Sequence, residues 1–500
     1  MEENTAAVPA RPRFRQPINL IDKFYIALHE VSQTMIYLAD FHVSGELSFE
    51  HFKEAYLATL DQLPVLKSVI RGKGGWFSRL WWEEVEKDYS DTVELVDLYQ
   101  DGRIAEEEAG RLYEELFRRC SNTRWDIRTE NPIRAKLVRR GKETWSIFFL
   151  IHHAVADGHG TKAILEVFAA NYSLVAGGET PSRTPIPQKR RSYLKFILGT
   201  NPLKMILTFF YYIRYELMNR PRASTPFLTE WKQREGVIRS VDFVLNRTVT
   251  RKLVERCRML GITLNEAMIL ACARCVDRWV RSRGRTPGKI SIAVPVNMRP
   301  YLGLSARESV ANCSVTMNIN IRASLLGDAA RLIETIRFQS RGLKKLRFPL
   351  VGIVQAAFLS WFPLRVLERL VRQSIESGVA ARNTATIVYS NVGMIFVDER
   401  GEPFLIPLGP SARVTGLRFS NPISYPVAAA MATVTYGGKV LFSLSYLDPV
   451  LERPLMEALA GEYKRELFAV MDEKALASAE LAPFSSELEE SESAGEGSSR

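Results

Sequence analysis

Hydrophobic positions change from strand-like to helical spacing on either side of a short polar turn at residues 152–160. Residues 147–151 form a continuous apolar run of the length expected for a buried strand, and two histidines follow it. Gly158 and Gly160 then interrupt the pattern. After Thr161 the apolar residues recur at helical spacing, at Ile164, Leu165, Phe168, Ala169 and Tyr172. The pattern predicts a strand, a turn and a helix, and the turn's polar side chains are expected to face a cleft.

The same pattern predicts alternating strands and helices in both halves of the chain. In the first half we expect strands at 34–43 and 65–72, a helix that Ser48 caps and Pro64 ends, a helix at 103–119, and a hairpin turning at 140–142. In the second half we expect strands at 238–246, 290–296 and 312–321, a hairpin around 437–438, and helices at 248–260, 264–280, 329–346, 351–371 and 454–471, with a kink or a division into two shorter helices at Pro363.

The predicted turn contains His152, His153 and Asp157. Histidine can accept and return a proton near neutral pH, because its unperturbed pKa is about 6.5, and it acts as a base once a hydrogen bond fixes its tautomer. Asp157 is close enough in sequence to order the turn. Two adjacent histidines could also be half of a metal site or a purely structural pair, so the pair alone leaves these alternatives open.

Composition and charge fit a large protein with anionic partners. The chain has 500 residues, 46% of them hydrophobic, which is enough for a large core and for two domains or pseudo-domains. Its formal net charge is +11, although residues 475–500 hold six glutamates against one arginine. A basic surface attracts anionic partners such as phosphate-bearing ligands, an acidic protein, nucleic acid or an anionic membrane. Arginines are spread along the chain without a recognised nucleic-acid-binding module, so we do not expect nucleic acid.

Five cysteines do not form a disulfide framework in a chain of this length. Cys272 and Cys275 form a C-x-x-C within a predicted helix, but no second pair completes a zinc site, so we interpret them as core residues and expect no metal. The N-terminus lacks the apolar stretch of a secretory signal, and a cytoplasmic location is the default expectation. No Rossmann fingerprint or Walker loop is present, and no tightly bound cofactor is expected.

Residues 193–220 are an unexpectedly apolar stretch inside a predicted linker at 178–235. The apolar core, 205–212, ends well short of the about 20 residues that a transmembrane helix needs. Lys195, Lys204, Arg214 and Arg220 accompany it, which would suit a helix on an anionic membrane, such as the inner face of the cell membrane, or along an acyl tunnel. A helix packed on the body of the protein is the alternative.

The sequence HHAVADG at residues 152–158 resembles the HHxxxDG motif of an acyltransferase superfamily. That superfamily includes chloramphenicol acetyltransferase, the condensation domains of nonribosomal peptide synthetases, plant acyl-CoA-dependent acyltransferases and bacterial wax ester synthases. The resemblance implies an α/β fold of two chloramphenicol-acetyltransferase-like sandwich halves with a channel between them. We expect a flexible N-terminus at 1–16, the first half at 17–177, the linker at 178–235, the second half at 236–474 and a disordered acidic tail at 475–500.

The resemblance also implies roles for the motif residues. His153 would be the general base, and His152 would support it. Asp157 would be structural and would pair with an arginine. Arg299 follows the predicted strand at 290–296, as the corresponding arginine does in the family, and is the candidate partner; a surface arginine is the alternative. Two positions depart from relatives: Lys67 stands where condensation domains often have arginine, and Gly160 where many relatives have serine.

Further residues are expected to line the substrate channel. Gly158 lies in the motif, and Asn297 ends the strand that precedes Arg299. The segment from Ser390 to Gly393 resembles the SNVxG segment of wax ester synthases, in which a hydroxyl of Ser390 or an amide of Asn391 could donate to a developing oxyanion. A strand-ending turn is the structural alternative, since Asn and Gly are common in turns.

The implied reaction is acyl transfer from a thioester to a hydroxyl or amine. Acyl-CoA or acyl-phosphopantetheine would be the co-substrate, with His153 deprotonating the acceptor. Two alternatives remain: an amide-forming condensation enzyme that takes its donor from a carrier protein, and a non-catalytic relative that binds a lipid or a protein in the same channel.

Overall fold

The computed structural model describes most of the chain between residues 14 and 472. The described residues are 14–32, 34–75, 79–189, 201–219, 224–228, 230–231, 233–342, 344, 353, 362–377, 385–423 and 425–472. Most of the predicted flexible N-terminus, the acidic tail at 475–500 and residues 193–200 lie outside them.

Fifteen strands are present in the described residues. They are β1 Arg15–Pro17, β2 Ile36–Ser44, β3 Ser68–Arg71, β4 Trp81–Glu84, β5 Val93–Asp97, β6 Ile133–Arg139, β7 Thr144–His152, β8 Val237–Leu245, β9 Lys289–Asn297, β10 Ser314–Arg322, β11 Ile387–Met394, β12 Pro407–Leu408, β13 Ala412–Ser420, β14 Ala429–Tyr436 and β15 Lys439–Asp448.

The α-helices of the described residues alternate with these strands. They are α1 Leu20–Val31, α2 Phe49–Gln62, α3 Glu106–Ser121, α4 Gly158–Ala176, α5 Pro202–Asn219, α6 Arg247–Met259, α7 Leu264–Arg281, α8 Arg299–Leu302, α9 Ala329–Arg337, α10 Leu364–Glu376 and α11 Arg453–Met471.

Two six-stranded sheets form the α/β architecture that the sequence predicts. The first has the order β12-β13-β2-β7-β6-β5 and the second has the order β10-β9-β11-β14-β15-β8; a three-stranded sheet, β1-β4-β3, accompanies them. Although residues 407–420 lie in the predicted second half, β12 and β13 join the first sheet, where β13 pairs with β2. The late part of the chain therefore completes the sheet that holds the HHxxxDG motif.

The core of the first sheet explains why the motif strand is a continuous apolar run. β7 lies between β2 and β6, and Thr144 is its one exposed residue. On one face Phe149 contacts Phe168 of α4, with ring centroids 5.5 Å apart. On the other face Phe148 contacts Phe117 of α3, with centroids 6.1 Å apart. Because helices cover both faces, side chains pointing either way from the strand are buried.

The core of the second sheet is built around α7. A capping box fixes its start, since Thr263 and Glu266 exchange side-chain and main-chain hydrogen bonds. Cys272 and Cys275 on this helix are fully buried, as the core interpretation predicts, and burial raises the pKa of both thiols. These two cysteines therefore act as small apolar core residues.

Several predicted element boundaries were wrong. The strand predicted at 65–72 is a 3-10 turn at Pro64–Lys67 followed by β3. The helix predicted to follow Thr161 begins at Gly158, because the Asp157 side chain accepts the Gly160 N–H and caps it. Gly160 therefore lies inside the first turn of α4 and does not precede it. A Cβ at this position would lie 3.0 Å from the Ala156 Cβ, so glycine permits the first turn of α4 to pack closely against Ala156.

Two further helices bear on the predictions, and the first of them differs. α9 ends at Arg337 and continues as a π-helical turn at Phe338–Gly342, in which the Gln339 side chain hydrogen-bonds both main-chain groups of Asn320 on the edge strand β10. In the described part of the helix predicted at 351–371, α10 begins directly after Pro363, which fits the alternative of two shorter helices. Proline suits a helix start because it has no N–H to donate.

Helix α5 carries the apolar stretch of the predicted linker. Thr208 is buried, whereas seven apolar side chains are between 39% and 66% exposed, namely Leu203, Met205, Ile206, Leu207, Phe209, Phe210 and Ile213. No described helix is by itself both long and apolar enough to cross a membrane; α6 and α7 meet the criteria only as a pair bent by 95°.

Candidate active site

The HHxxxDG motif forms a tight turn between β7 and α4. His152 is the last residue of β7 and pairs across the sheet with Ile36. The next main-chain N–H, that of His153, donates to the Met35 carbonyl at 2.8 Å. The N–H of Val155 then turns back to the His152 carbonyl at 3.0 Å. The backbone of the motif is therefore tied to the first sheet on both sides of His153.

Asp157 joins this turn to the second half of the chain. Its Oδ1 accepts the Gly160 N–H at 2.9 Å, while Oδ2 accepts the Cys313 N–H and an N–H of Arg299, each at 2.9 Å. Burial opposes ionisation of the carboxyl group, but the positive charge of Arg299 and these hydrogen bonds outweigh it, so the pKa of Asp157 is lowered. Asp157 is thus an ionised structural group.

Arg299 is the ion-pair partner of Asp157 and is itself buried, with 2% exposure. Its Nη2 donates to the Ser309 carbonyl at 3.0 Å and to the Ala311 carbonyl at 2.7 Å. The Asn297 side chain accepts the Arg299 main-chain N–H at 3.1 Å. The guanidinium group therefore holds the loop at 309–313 against the start of α4.

His153 is enclosed by two tyrosines and an asparagine. Tyr25 stacks on its ring, with centroids 4.5 Å apart and planes at 20°, and Tyr37 approaches edge-on at 5.4 Å. The Asn312 amide donates to the His153 carbonyl at 3.0 Å and lies 3.2 Å from Nδ1. Burial lowers the pKa of His153, and a hydrogen bond to its own main chain and the charge of Asp157 offset this in part. The ring is therefore neutral near pH 7 and can accept a proton.

His152 faces the protein interior. Its Nδ1 accepts the Ala154 N–H at 3.1 Å, and its Nε2 lies 3.0 Å from Nδ1 of His29 on α1. Since Nδ1 is an acceptor, the neutral ring carries its proton on Nε2 and donates it to His29. Burial keeps the pKa of His152 well below its usual value. Of the alternatives for the histidine pair, a structural role therefore fits His152.

Two cavities meet at His153. The small cavity, about 180 Å³, is lined on one side by charged groups, including Lys162 and Arg418. The large cavity, about 670 Å³, lies between α1, α10 and the second sheet. Five residues line both, namely Tyr25, His153, Pro295, Ser390 and Asn421. Two reactants entering by different cavities would meet at the imidazole.

The four predicted substrate-binding residues all line the small cavity: Gly158, Asn297, Ser390 and Asn391. A Cβ on Gly158 would lie 2.9 Å from Cγ2 of Val392, so glycine lets β11 approach the start of α4. The Oδ1 of Asn297 accepts the main-chain N–H of Arg299, so this side chain has a structural role.

Ser390 and Asn391 differ in what their side chains can offer a substrate. The Asn391 amide nitrogen donates to Asn265 Oδ1 at 2.9 Å and lies 3.8 Å from the Met268 sulfur, and its Oδ1 accepts the Gly393 N–H at 2.7 Å. These contacts occupy the Asn391 side chain within the protein. The Ser390 side chain lines both cavities and is the better oxyanion-donor candidate of the two.

Lys67 lies outside the histidine site. It bonds to Asp61 at 2.9 Å and to Glu84 at 2.6 Å. Lys67 therefore forms ion pairs with two carboxylates, although it lacks the planar guanidinium group with which arginine binds a carboxylate through two N–H groups.

Sequence reasoning missed four residues of the site: Tyr25, His29, Tyr37 and Asn312. Tyr25 and His29 are four residues apart and so share one face of α1, but nothing in the sequence links that face to residues 152 and 153. Asn312 is 159 positions from His153. Contacts of such separation follow from the tertiary fold and leave no local pattern.

Comparison with known families gives a match at the same part of the chain. The family model for the Condensation domain matches residues 25–205, which include the HHxxxDG turn and most of α1. Two curated proteins match shorter stretches: a probable non-canonical nonribosomal peptide synthetase, CymA, of Salinispora arenicola, 29% identical over 79 residues, and the nonribosomal peptide synthetase kk1B of Curvularia clavata, 29% identical over 151 residues. The matched stretches are 16% and 30% of this chain and 1% of each synthetase.

Solved structures share the fold over nearly the whole chain. The first condensation domain of the calcium-dependent antibiotic synthetase, in complex with a substrate analogue, matches with a TM-score of 0.68 at 13% identity, covering 93% of this chain and 98% of that one. The trichothecene 15-O-acetyltransferase TRI3 of Fusarium sporotrichioides matches with a TM-score of 0.60 at 13% identity, covering 93% and 96%.

A third solved structure is a mutant of the starter condensation domain of rhizomide synthetase in complex with C8-CoA. It matches with a TM-score of 0.61 at 13% identity and covers 94% of this chain and 96% of that one. At these identities the likeness establishes the fold. The Condensation domain model therefore supports a relationship over residues 25–205, and the solved structures show that the two-sheet fold is shared over nearly the whole chain.

Proposed function

We propose that the protein is an acyltransferase that moves an acyl group from a thioester to a hydroxyl or amine, with His153 as the general base. One observation carries the proposal: the partly buried imidazole of His153 lines both of two separate cavities. The supporting contacts of Asp157, Arg299 and Asn312 hold this imidazole in one place, as base catalysis requires.

The proposed reaction is a direct transfer. The ring nitrogen of His153 that faces the acceptor takes its proton as the acceptor's oxygen or nitrogen attacks the thioester carbonyl. The Ser390 hydroxyl donates to the oxyanion of the tetrahedral intermediate. When the intermediate collapses, the C–S bond breaks and the thiolate receives the proton from His153. Thioesters are already activated, so this sequence needs no covalent acyl-enzyme.

The donor is proposed to approach through the small cavity. Lys162 and Arg418 line it; Lys162 is paired with Glu166, and Arg418 with Glu114 and Asp242, so they would offer N–H donors rather than uncompensated positive charge to a pantetheine arm of either coenzyme A or a carrier protein. A carrier-dependent, amide-forming condensation is the second candidate, and it is favoured by the family match and by the two synthetases among the relatives.

The test is free-thiol release from acyl-CoAs of increasing chain length, with and without pooled alcohols and amines. A parallel series uses acyl groups on a phosphopantetheinylated carrier protein. Release that requires an acceptor supports acyl transfer, and the faster series identifies the donor. If neither series shows acceptor-dependent release, the proposed activity is wrong, and a lipid- or protein-binding relative becomes the better account.

We also propose that α5 contacts an anionic membrane surface. Seven of its apolar side chains are exposed, and its sequence includes Lys204 and Arg214 against one acidic residue, Glu216. The test is co-sedimentation with vesicles of phosphatidylserine or of phosphatidylcholine alone. Binding to the anionic vesicles should fall when Ile206, Phe209 and Phe210 are replaced by serine. Met259, which is 72% exposed on α6, gives the matched control Met259→Ser. Equal sedimentation of the triple variant and the control would refute the contact.

A further inference from the structure

The large cavity differs chemically from the small one, although both reach His153. Helix α1 forms one wall with Phe24 and Leu28, and α10 forms another with Leu367, Leu370 and Val371. The strands β11 and β14 and residues 422–423 and 425–427 contribute further apolar side chains. This cavity is therefore enclosed mainly by aliphatic and aromatic groups.

Charge separates the two cavities. Among the described residues that line the large cavity, none is Asp, Glu, Lys or Arg, and the polar ones are neutral side chains such as Ser32 and Thr316. The small cavity, in contrast, is lined by Asp157, Lys162 and Arg418. A charged substrate group placed among these described side chains would gain no oppositely charged partner from them, so the contact would be unfavourable.

Size and position indicate what the large cavity can hold. Its volume of about 670 Å³ lies within the range of small-molecule sites. Because His153 and Ser390 are part of its wall, a bound chain would have its reacting end at the base and the remainder among apolar side chains.

We infer that the large cavity binds an uncharged aliphatic chain that belongs to one of the two substrates of the proposed acyl transfer. The chain is either the acyl group of the donor or the hydrocarbon part of an alcohol or amine acceptor. This inference rests on the proposed function for the identity of the substrates. The affinity of the cavity for hydrocarbon can be measured without turnover.

A substitution in α10 tests the inference. Leu370 lines the cavity and is 40% exposed, so a tryptophan in its place can occupy the cavity without displacing the buried core. Gln373, on the same helix, is exposed and is not among the cavity-lining residues, so Gln373→Trp is the matched control.

Calorimetric titration with 1-hexanol, 1-octanol and 1-decanol measures binding in the wild type and in His153→Ala. Each buried CH2 group should tighten Kd about fourfold, and Leu370→Trp should weaken the binding of decanol at least about tenfold while Gln373→Trp leaves it unchanged. Affinity that is independent of chain length, or equal in the two tryptophan variants, would overturn the inference.

Turnover assays identify the source of the chain and separate this inference from the proposed function. One arm varies the acyl chain with a fixed short acceptor, and the other varies the alcohol chain with acetyl-CoA. A chain-length preference that Leu370→Trp removes in one arm assigns the cavity to that substrate. Turnover without a preference in either arm would contradict the inference and leave the acyltransferase proposal intact. Alcohol binding without any turnover would support the apolar cavity as a hydrocarbon site and contradict the acyltransferase proposal.

Discussion

Nε2 of His152 lies 3.0 Å from Nδ1 of His29, and both rings are buried. The Ala154 N–H bonds to the other ring nitrogen of His152 at 3.1 Å, so the direction of the hydrogen bond between the histidines is fixed. Helix α1 thereby holds the residue directly before His153, while Tyr25 on the same helix stacks on His153 itself. Helix α1 therefore contacts both histidines of the motif.

His29 is therefore expected to position the motif turn. His29→Leu leaves the buried Nε2–H of His152 without an acceptor, which should cost about 1–3 kcal/mol of stability and lower kcat. His29→Asn supplies an oxygen near the position of Nδ1 and should restore both. Urea unfolding and steady-state kinetics measure the two effects. If His29→Asn and His29→Leu lose kcat equally, the hydrogen bond has no positioning role.

The same two histidines predict how stability depends on pH. Burial lowers the pKa of His29 and His152 in the folded protein, so protonation favours the unfolded chain. The free energy of unfolding should be insensitive to these groups above about pH 6.5 and should fall as the pH drops below it, by up to about 1.4 kcal/mol per pH unit for each histidine. His29→Asn should reduce this slope. An unchanged slope would show that His29 does not contribute.

The buried ion pair predicts a coupled effect on stability. Asp157→Asn keeps an oxygen for the helix cap but leaves Arg299 as an uncompensated buried charge, which should cost about 3–5 kcal/mol. Adding Arg299→Met should cost less than the sum of the two single changes, because the double variant has no unpaired charge. Chemical denaturation of the wild type, Asp157→Asn, Arg299→Met and the double variant gives the coupling free energy between the two residues. Additive losses would contradict the pairing as a stabilising unit.

The environment of His153 predicts the acid limb of the pH–rate profile. Its pKa is lowered, and the base acts in the neutral form, so kcat/KM should fall only as the pH drops through a value below about 6.5. Asn312→Ala removes the donor to the His153 carbonyl and should change the midpoint or the kcat, with little effect on KM. An acid limb centred above the ordinary histidine pKa would be inconsistent with a desolvated His153 as the base.

Local patterns sufficed to predict part of the site. The apolar run of β7, the polar turn and the helical spacing of α4 are properties of neighbouring residues, so their period is visible in the sequence. The pairing of Asp157 with Arg299 came from the motif resemblance, and the structure contains that ion pair.

Other parts depend on contacts between distant residues. β13 joins β2 from the far end of the chain, and no periodicity within β13 indicates that partner. The π-helical turn at Phe338–Gly342 depends on the bonds of Gln339 to an edge strand. Asn391 resembled an oxyanion donor in sequence, yet the packing of α7 against β11 engages its amide with Asn265.

Acceptor-dependent thiol release in a matched pair of variants tests whether His153 is the base for transfer between two substrates. His153→Ala removes the imidazole at the junction of the cavities, whereas His51→Ala removes a histidine on α2 that lines neither cavity. We predict that acceptor-dependent release falls at least about 100-fold in His153→Ala and is unchanged in His51→Ala, with both proteins folded by circular dichroism. Full activity in a folded His153→Ala protein would contradict the account.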